Sequence, residues 1–382
     1  MSSVFLSHNN IFSAYGPDSV SAIAQIKEGV SSLQLVEDSY LLEGPFYSSR
    51  ISDDLLNEKF ERLRPTENYT RLEKILIASL SDTLEKADLE IDDRVGLIVS
   101  TTKGNIDVLE KHSVFPEKRA YLAQLGKKIK EFFQFQNDAI ILSNACVSGV
   151  LALAVAKRLI SQKTYDHVLV VGGDLVTKFI MSGFNAFQAL SPEPCRPYCK
   201  TRSGINIGEV GSSVLVTADT RQMAREAVKI MGEASCNDAN HISGPSRTGE
   251  GLFRSVQAAL EQSGLSIESI DYISAHGTAT LFNDEMEAIA FNRANLQKTP
   301  LNSLKGYFGH TLGASGLLET LIGMHSLQKN MLFASKGFQE LGVSRPLNII
   351  KDTTSKPLRT FIKTASGFGG CNTAAIFQSA KP

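Results

Sequence analysis

The stretch from Ala139 to Ile160, AIILSNACVSGVLALAVAKRLI, decides the fold because it runs from a strand through a turn of small residues into a helix. The apolar run 139–142 predicts a short buried strand, and the Ala- and Leu-rich run 150–160 predicts a buried helix. Cys146 lies in the turn, near the unpaired backbone N–H groups that favour an anion at a helix N-terminus. We therefore predict that this position lowers the pKa of the thiol and holds a developing oxyanion, as a nucleophile requires. Taken alone, the same cysteine fits a small buried residue better, because that is the usual role of a free cysteine.

The composition indicates a soluble globular protein. The chain has 382 residues, of which 42% are hydrophobic and 21% charged, which is enough for one large or two fused domains. A formal charge of -1, without long runs of one sign, argues against nucleic-acid or membrane-surface binding. The N-terminal residues lack the pattern of a signal peptide, and no apolar run reaches membrane-spanning length. These features predict a cytoplasmic protein without a membrane span.

The cysteines predict neither disulfides nor a metal site. Their number is odd and their spacing fits no disulfide framework, so we expect reduced thiols at all five positions: Cys146, Cys195, Cys199, Cys236 and Cys371. The pair at 195 and 199 has no second Cys or His pair at zinc spacing, and a plain loop is expected there.

Three segments of the first half recur in the same order in the second half. TLEKADLEIDDRVGLIVS from Thr83 is matched by ALEQSGLSIESIDYISA from Ala259. The turns Cys146-x-x-Gly and His310-x-x-Gly each precede an apolar helix, and each half then closes on a Gly-rich strand, GEVGSSVLV and GFGGCNTAAIF. The pattern predicts two homologous α/β halves, residues 1–220 and 221–382, with largely parallel sheets. Pseudo-symmetry would bring Cys146 and His310 together where the halves meet.

Two histidines are candidates for catalysis. His276 in SAHGTAT and His310 in GYFGHTLGASG lie in Gly-rich turns directly after predicted strands, where a scaffold exposes functional groups. A buried, hydrogen-bonded histidine would fit either position without Cys146 nearby. The remaining five are interpreted as surface or packing residues: His8, His112, His167, His241 and His325.

Four motifs together closely resemble a β-ketoacyl synthase of the elongating Cys-His-His type. They are ACVSG, AHGTAT with Asn-Asp two residues later, KGYFGHTLGASG and GFGGCNTA, and they extend from Asn144 to Thr373 in the order of that family. The resemblance implies the thiolase-like five-layer α-β-α-β-α fold, built from two duplicated halves. That fold agrees with the internal repeat, which was identified without it.

The resemblance also implies the role of each site residue. Cys146 would accept the acyl group, and His276 and His310 would drive decarboxylation of a malonyl thioester and stabilise its enolate. Lys305 matches the characteristic lysine of the family and would orient a histidine, although a surface ion pair fits its spacing too. The backbone N–H groups of Cys146 and Phe368 would form the oxyanion hole.

Further residues match positions that bind substrate in the family. Thr278 and Thr280 would hydrogen-bond the pantetheine arm, although turn chemistry explains threonines there as well. Phe368 resembles the gating phenylalanine, in a loop made permissive by the glycines at 367, 369 and 370; plain packing is the alternative. The segment CRPYCKTRSGINIGEVGSS departs from the family pattern, because Cys199 and Ser203 replace acidic residues and Val210 replaces a glycine.

The sequence therefore predicts an acyltransferase that condenses a Cys-bound acyl group with malonyl-acyl carrier protein, in fatty acid, polyketide or polyene biosynthesis. No resident cofactor is expected, because the phosphopantetheine arm arrives on the acyl carrier protein. The family implies a homodimer, or a heterodimer with a related subunit. One alternative is a non-catalytic partner that resembles a chain-length factor, although such partners usually lack the cysteine. A thiolase or a Cys-His-Asn synthase fits less well, because the second polar partner is a histidine.

Overall fold

A computed structural model describes residues 3–238 and 244–381, which contain sixteen strands and ten α-helices. Five short 3-10 turns lie at 106–109, 117–120, 220–222, 267–269 and 312–314. The strands are β1 (Phe5–Ser13), β2 (Gln34–Val36), β3 (Phe46–Ser49), β4 (Val95–Ser100), β5 (Ile140–Leu142), β6 (His167–Asp174), β7 (Ile207–Gly208), β8 (Val210–Thr217), β9 (Val228–Asn237), β10 (Tyr272–Ser274), β11 (Pro300–Asn302), β12 (Met331–Leu332), β13 (Asn348–Ile349), β14 (Thr354–Ser355), β15 (Thr360–Gly367) and β16 (Cys371–Ser379). The helices are α1 (Ser19–Lys27), α2 (Asp53–Glu61), α3 (Arg71–Ala87), α4 (Leu122–Phe133), α5 (Ser148–Ser161), α6 (Lys178–Ala186), α7 (Glu250–Ser263), α8 (Leu281–Arg293), α9 (Lys305–Phe308) and α10 (Ser315–Lys329). Within these described residues, no helix is long and apolar enough to cross a membrane.

Eleven strands form one continuous sheet in the order β13-β11-β10-β15-β16-β9-β1-β8-β6-β4-β5. The two halves meet at its centre, where Phe5 and Leu6 pair with Lys229 and Val228. The strands at each end are parallel, whereas every pair from β15 through to β6 is antiparallel. The prediction of largely parallel sheets is therefore wrong for the central strands. The reason is visible at β15 and β16, where a three-residue connection permits only antiparallel pairing.

Successive residues of a strand point to opposite faces of the sheet, and the apolar side chains on these faces belong to three different clusters. The clusters show how helices and sheet are layered. One face of the first-half strands packs against α3 and α4, and one face of the second-half strands packs against α7 and α8. The opposite faces of both sets share a central cluster with α5 and α10. The layers are thus helix, sheet, helix, sheet and helix. The predicted thiolase-like five-layer fold is confirmed.

The duplicated helix-turn-strand segment has the same geometry in each half. α3 ends at Asp88 and α7 at Gly264, both in the left-handed conformation with φ of 46° and 67°. Each of these residues donates its backbone N–H to the carbonyls three and four positions earlier. Each helix then leads into a buried strand, β4 or β10. The predicted division between residues 220 and 221 falls in the connection from β8 to β9.

Candidate active site

A tight turn presents Cys146 just ahead of α5. Ala145, the preceding residue, has a φ of 45°, which is unusual for a residue with a Cβ. The turn is held by Ser148, whose Oγ accepts the N–H of Asn144 at 2.8 Å and donates to the carbonyl of Ala145 at 2.7 Å. A strand, this strained turn and a helix therefore place the thiol, as the sequence predicted.

The second half repeats this turn, but three residues later than the sequence comparison predicted. Leu312 has a φ of 52°, and Ser315 at the start of α10 accepts the N–H of Thr311 at 3.2 Å. The residue equivalent to Cys146 is therefore Gly313, not His310. The sequence pattern matched Gly149 with Gly313, which follows His310 by three residues. The structural equivalent of Gly149 is Gly316, three residues further on.

Gly149 and Gly316 mark the pseudo-symmetric crossing of α5 and α10. A Cβ on Gly149 would lie 2.5 Å from the backbone nitrogen of Leu317, and a Cβ on Gly316 would lie 2.8 Å from that of Val150. The helices therefore approach to a distance that only glycine permits. This contact fixes the two turns next to each other.

The structure brings Cys146, His276 and His310 together. His310 Nε2 lies 3.0 Å from Cys146 Sγ, and the two imidazole rings are edge to face with centroids 5.3 Å apart. One ligand-type atom from each of the three residues lies within 4.8 Å of the others. Within the described part of the chain, this is the group of Cys and His side chains whose sulfur and nitrogen atoms lie close enough together to bind one metal ion. His241 lies outside the described residues.

Burial controls the protonation of the three groups. It raises the pKa of the Cys146 thiol to about 12, and the nearby Cys371 raises it further, while Lys305 acts in the opposite direction. The predicted lowering of this pKa is therefore wrong, because burial deprives the thiolate of stabilising water. Burial, with the positive charge of Lys305, lowers the pKa of both His276 and His310 well below the usual value. Both imidazoles are neutral at pH 7.

Two buried lysines and one glutamate hold the turn that carries His276. The Lys305 ammonium donates to the carbonyl of His276 and lies 3.4 Å from His276 Nδ1 and 2.8 Å from Glu319 Oε1. Lys363 binds the other oxygen of Glu319 and donates to the carbonyls of Ser274 and Ala275, both at 3.1 Å. Lys305 is thus fully buried and contacts a histidine, which excludes the alternative of a surface ion pair.

Sequence reasoning missed Lys363 and Glu319. Each is a single charged residue within an apolar element, in TFIKTASG of β15 and SGLLETLIGMHSL of α10. An isolated charge on a buried face was the available signal, because such a group needs a partner. Glu287 was missed as well. It accepts the backbone N–H groups of His276 and Gly277 at 2.9 and 2.7 Å and so fixes the same turn from α8.

A cavity of about 490 Å³ opens onto the cysteine and both histidines. Thr278 and Thr280 line it, with their hydroxyl groups 2.8 Å apart, and Leu281 and Phe282 follow them at its rim. Its lining extends from the exposed Phe282 to the buried Cys146, so the cavity connects the thiol with the protein surface.

Phe368 also lines the cavity and is exposed in the loop between β15 and β16. Its ring contacts Phe184 and Phe187, with centroids 5.8 and 5.2 Å away. A Cβ on the neighbouring Gly367 would lie 3.0 Å from the backbone nitrogen of Cys146, so the glycine lets this loop approach the cysteine turn. Aromatic groups thus form one wall of the cavity.

The residues that depart from the expected pattern lie in different places. Ser203 lines the cavity and hydrogen-bonds Ser191 at 2.7 Å, whereas Cys199 is buried beside Thr201. Val210 is buried in β8. Cys195 donates its thiol to the carbonyl of Lys305 at 3.0 Å.

Comparison with known proteins agrees with this geometry. The family model of the β-ketoacyl synthase N-terminal domain matches residues 20–221, and that of the C-terminal domain matches residues 227–339. The 3-oxoacyl-(acyl-carrier-protein) synthase 2 of Rhizobium meliloti is 31% identical over 280 residues, which cover 69% of this chain and 65% of the relative. A putative polyketide beta-ketoacyl synthase 1 of Streptomyces halstedii is 28% identical over 266 residues, covering 66% of this chain and 63% of the relative. The matched region thus spans slightly less than two thirds of these relatives.

A solved structure extends the likeness to the whole fold. The ketosynthase in complex with its chain length factor from Xenorhabdus doucetiae superposes with a TM-score of 0.87 at 24% identity. The superposition covers 99% of this chain and 98% of that chain.

Proposed function

Because this chain belongs to the β-ketoacyl synthase family, we propose that it joins an acyl group on Cys146 to the carbon skeleton of a malonyl thioester by decarboxylative Claisen condensation. The observation that carries the proposal is the 3.0 Å contact between His310 Nε2 and Cys146 Sγ, with His276 in the same buried cluster. One nucleophile and two neutral imidazoles are the groups that this reaction needs.

The first half-reaction loads the enzyme. Cys146 sulfur attacks the carbonyl carbon of an acyl thioester, the bond to the carrier sulfur breaks, and the thiol proton of Cys146 leaves with the carrier thiol. The backbone N–H groups of Cys146 and Phe368 are proposed to bind the oxyanion, and the close approach at Gly367 supports that pairing. Loss of one such donor typically costs about 3 kcal/mol of transition-state stabilisation.

The second half-reaction forms the new carbon–carbon bond. The carbon–carboxylate bond of the malonyl group breaks, CO2 leaves, and the electron pair moves onto the thioester as an enolate. His276 is suited to donate to that oxygen, because its Nδ1 faces the Lys305 ammonium, which has no lone pair, and the ring proton is therefore on Nε2. The enolate carbon attacks the acyl carbon, and Cys146 leaves as a thiolate that regains a proton.

The substrates are proposed to arrive on an acyl carrier protein, whose phosphopantetheine arm would pass Thr278 and Thr280. No resident cofactor enters this scheme. The relatives named as a 3-oxoacyl-(acyl-carrier-protein) synthase and a polyketide beta-ketoacyl synthase support a proposed role in fatty acid or polyketide synthesis. The presence of Cys146 with both histidines favours a catalytic subunit over a partner of the chain-length-factor kind.

The protein is further proposed to act as a dimer with itself or with a related subunit. β5 supports this proposal, because it is the terminal strand of the sheet and its three residues are only half-buried. An uncovered edge strand is a ready surface for pairing with another chain. The solved complex of a ketosynthase with its chain length factor is one example of such an assembly. A purely monomeric mass in solution at micromolar concentration, with full activity, would contradict the dimer.

The test measures both half-reactions on the same preparations. Acyl-enzyme formation is followed by intact mass, and CO2 release is followed from labelled malonyl carrier protein. Alanine at His276 or His310 is expected to lower CO2 release by about 100-fold while some loading persists, because only decarboxylation needs both donors. Lys305→Ala is expected to show a milder loss. Lost loading with intact CO2 release would reverse the assigned roles.

A further inference from the structure

Both ring nitrogens of His310 are occupied by side chains. Nε2 lies 3.0 Å from Cys146 Sγ, and Nδ1 lies 2.9 Å from the hydroxyl of Ser315. His310 and Ser315 are each about 1% exposed, so these contacts are shielded from water. A neutral imidazole carries one ring proton. The direction of the bond to Ser315 therefore decides whether Nε2 accepts a proton from the cysteine or donates one to it.

The contacts of Thr311 determine the direction of the hydrogen bond between Ser315 and His310. Its backbone N–H donates to Ser315 Oγ at 3.2 Å, and its own hydroxyl lies 3.2 Å from the same oxygen. Thr311 is fully buried, and across residues 3–238 and 244–381 its hydroxyl has no other hydrogen-bond partner. If Ser315 donated to Thr311, the threonine proton would be buried without an acceptor, which is costly.

One arrangement satisfies every group. The Thr311 hydroxyl donates to Ser315, the Ser315 hydroxyl donates to Nδ1 of His310, and the proton on Nε2 points at Cys146 Sγ. We propose that Ser315 is a positioning residue that holds His310 in the Nε2–H tautomer, so that this histidine acts as a hydrogen-bond donor in both half-reactions. Its catalytic meaning rests on the proposed function. During loading the donor stabilises the Cys146 thiolate, and during decarboxylation it stabilises the enolate oxygen.

The first half provides a natural contrast. Ser148 occupies the equivalent position and accepts the equivalent backbone N–H, but it donates its proton to the carbonyl of Ala145, which can only accept. The capping role is therefore common to both serines. The contact with a histidine belongs to Ser315 alone of the two.

The tautomer itself is measured on the native protein. In a ¹⁵N-labelled sample, the couplings between ring nitrogens and carbon-bound protons distinguish Nε2–H from Nδ1–H, with His310→Gln assigning the signals. We expect Nε2–H in the native protein and in Ser315→Thr, which keeps the hydroxyl. Ser315→Ala is expected to populate both tautomers. An Nδ1–H tautomer in the native protein overturns the proposal without any variant.

Kinetics provide the second readout. Ser315→Ala is expected to lower kcat for CO2 release by about 10-fold, the scale of one lost hydrogen bond, with KM within about twofold. Thr311→Val removes the hydroxyl that orients Ser315, and a smaller loss of kcat is expected for it. This variant provides the test if Ser315→Ala fails to fold. Ser148→Ala is the matched control, because it removes the same turn contact and should leave the tautomer of His310 unchanged. An unchanged tautomer and CO2 rate in Ser315→Ala would reject the positioning role.

The two proposals fail separately. If Cys146→Ala still condenses substrates, the proposed function is wrong, whereas the measured tautomer is unaffected. If His310 carries its proton on Nδ1, the role of Ser315 is wrong, whereas acylation of Cys146 stands.

Discussion

The turns at 144–148 and 311–315 share one backbone design and serve different chemistry. In each, a residue with positive φ precedes the key position, and a serine at the start of the helix accepts the N–H of the residue four positions earlier. In the first half the key position is Cys146, and in the second it is Gly313, whose N–H binds Asp174 at 2.8 Å. The duplicated backbone thus provides the same turn twice, and only the first copy places a thiol at the key position.

The halves also differ in the charges that they bury. Beside the cysteine turn, Asp174 accepts hydrogen bonds from the loop after β4 and links it to the second half. Beside the histidines, Lys305 and Lys363 share Glu319. The first half therefore holds the proposed nucleophile, and the second half holds the histidines that are proposed to stabilise developing negative charge.

Replacing the nucleophile should have the largest effect. Cys146→Ala is expected to lower condensation by at least about 1,000-fold, because a covalent intermediate can no longer form. Peptide mapping after exposure to acyl carrier protein should find the acyl group on Cys146 in the native protein and on no peptide of the variant. Cys236→Ser, in a strand away from the cluster, is the control and should load normally. Undiminished acylation of Cys146→Ala would show that another residue is the nucleophile.

Removal of one buried lysine should come next. Lys363→Met leaves Glu319 with a single partner and the carbonyls of Ser274 and Ala275 without their donor. We expect a loss of about 3 kcal/mol in the free energy of unfolding, the usual scale for breaking a buried pair. Denaturant titration measures it, and the double variant with Glu319→Gln should lose less than the sum of the two single losses. Additive losses would mean that the two residues are not coupled.

The helix crossing should be less sensitive. Gly149→Ala and Gly316→Ala each force a Cβ against the backbone of the other helix, and we expect each to cost about 2 kcal/mol of unfolding free energy. Gly183→Ala in α6 is the control, because a Cβ there meets nothing within 4 Å and alanine favours a helix. Equal stability of all three variants would show that the crossing does not depend on glycine.

The sequence predicted the parts of the site that lie in turns. Cys146, His276 and His310 were recognisable because glycine and small residues around them mark exposed turns after strands. Lys363, Glu319 and Ser315 were not, because each lies in a strand or helix whose partners come from distant segments. The register of the turn repeat alone was misjudged by three residues, since the shared design there is a backbone conformation and a serine contact. The spacing of glycines in the sequence reports neither the backbone conformation nor the serine contact.

Strand direction and the pKa of the cysteine show a second limit. Alternation of strands and helices indicated parallel sheets, but it does not report the hairpin that joins β15 and β16. The helix N-terminus was visible in the sequence, whereas the depth at which Cys146 is buried depends on residues from both halves. Effects that sum over the whole fold therefore escaped local reasoning.

A change of pH, which alters no residue, separates the two halves. The pKa of Cys146 is raised to about 12, so between pH 6.5 and 8.5 the thiolate fraction, and with it the loading rate, should rise up to about tenfold per pH unit. The pKa of each histidine is lowered, so both stay neutral in that range, and CO2 release by pre-acylated enzyme should be flat. That rate should fall only well below pH 6.5, as the imidazoles become protonated and reach their lowered pKa values.

Alkylation of Cys146 by iodoacetamide across the same pH range provides a control that involves no carrier protein, and it should rise in parallel with loading. The alkylation rates of the native protein and of Ser148→Ala can be compared directly, because both proteins retain Cys146, His276 and His310. A flat alkylation profile would show that the helix N-terminus and His310 hold a thiolate at neutral pH despite burial. Both halves would then generate the thiolate together, because the helix N-terminus belongs to the first half and His310 to the second.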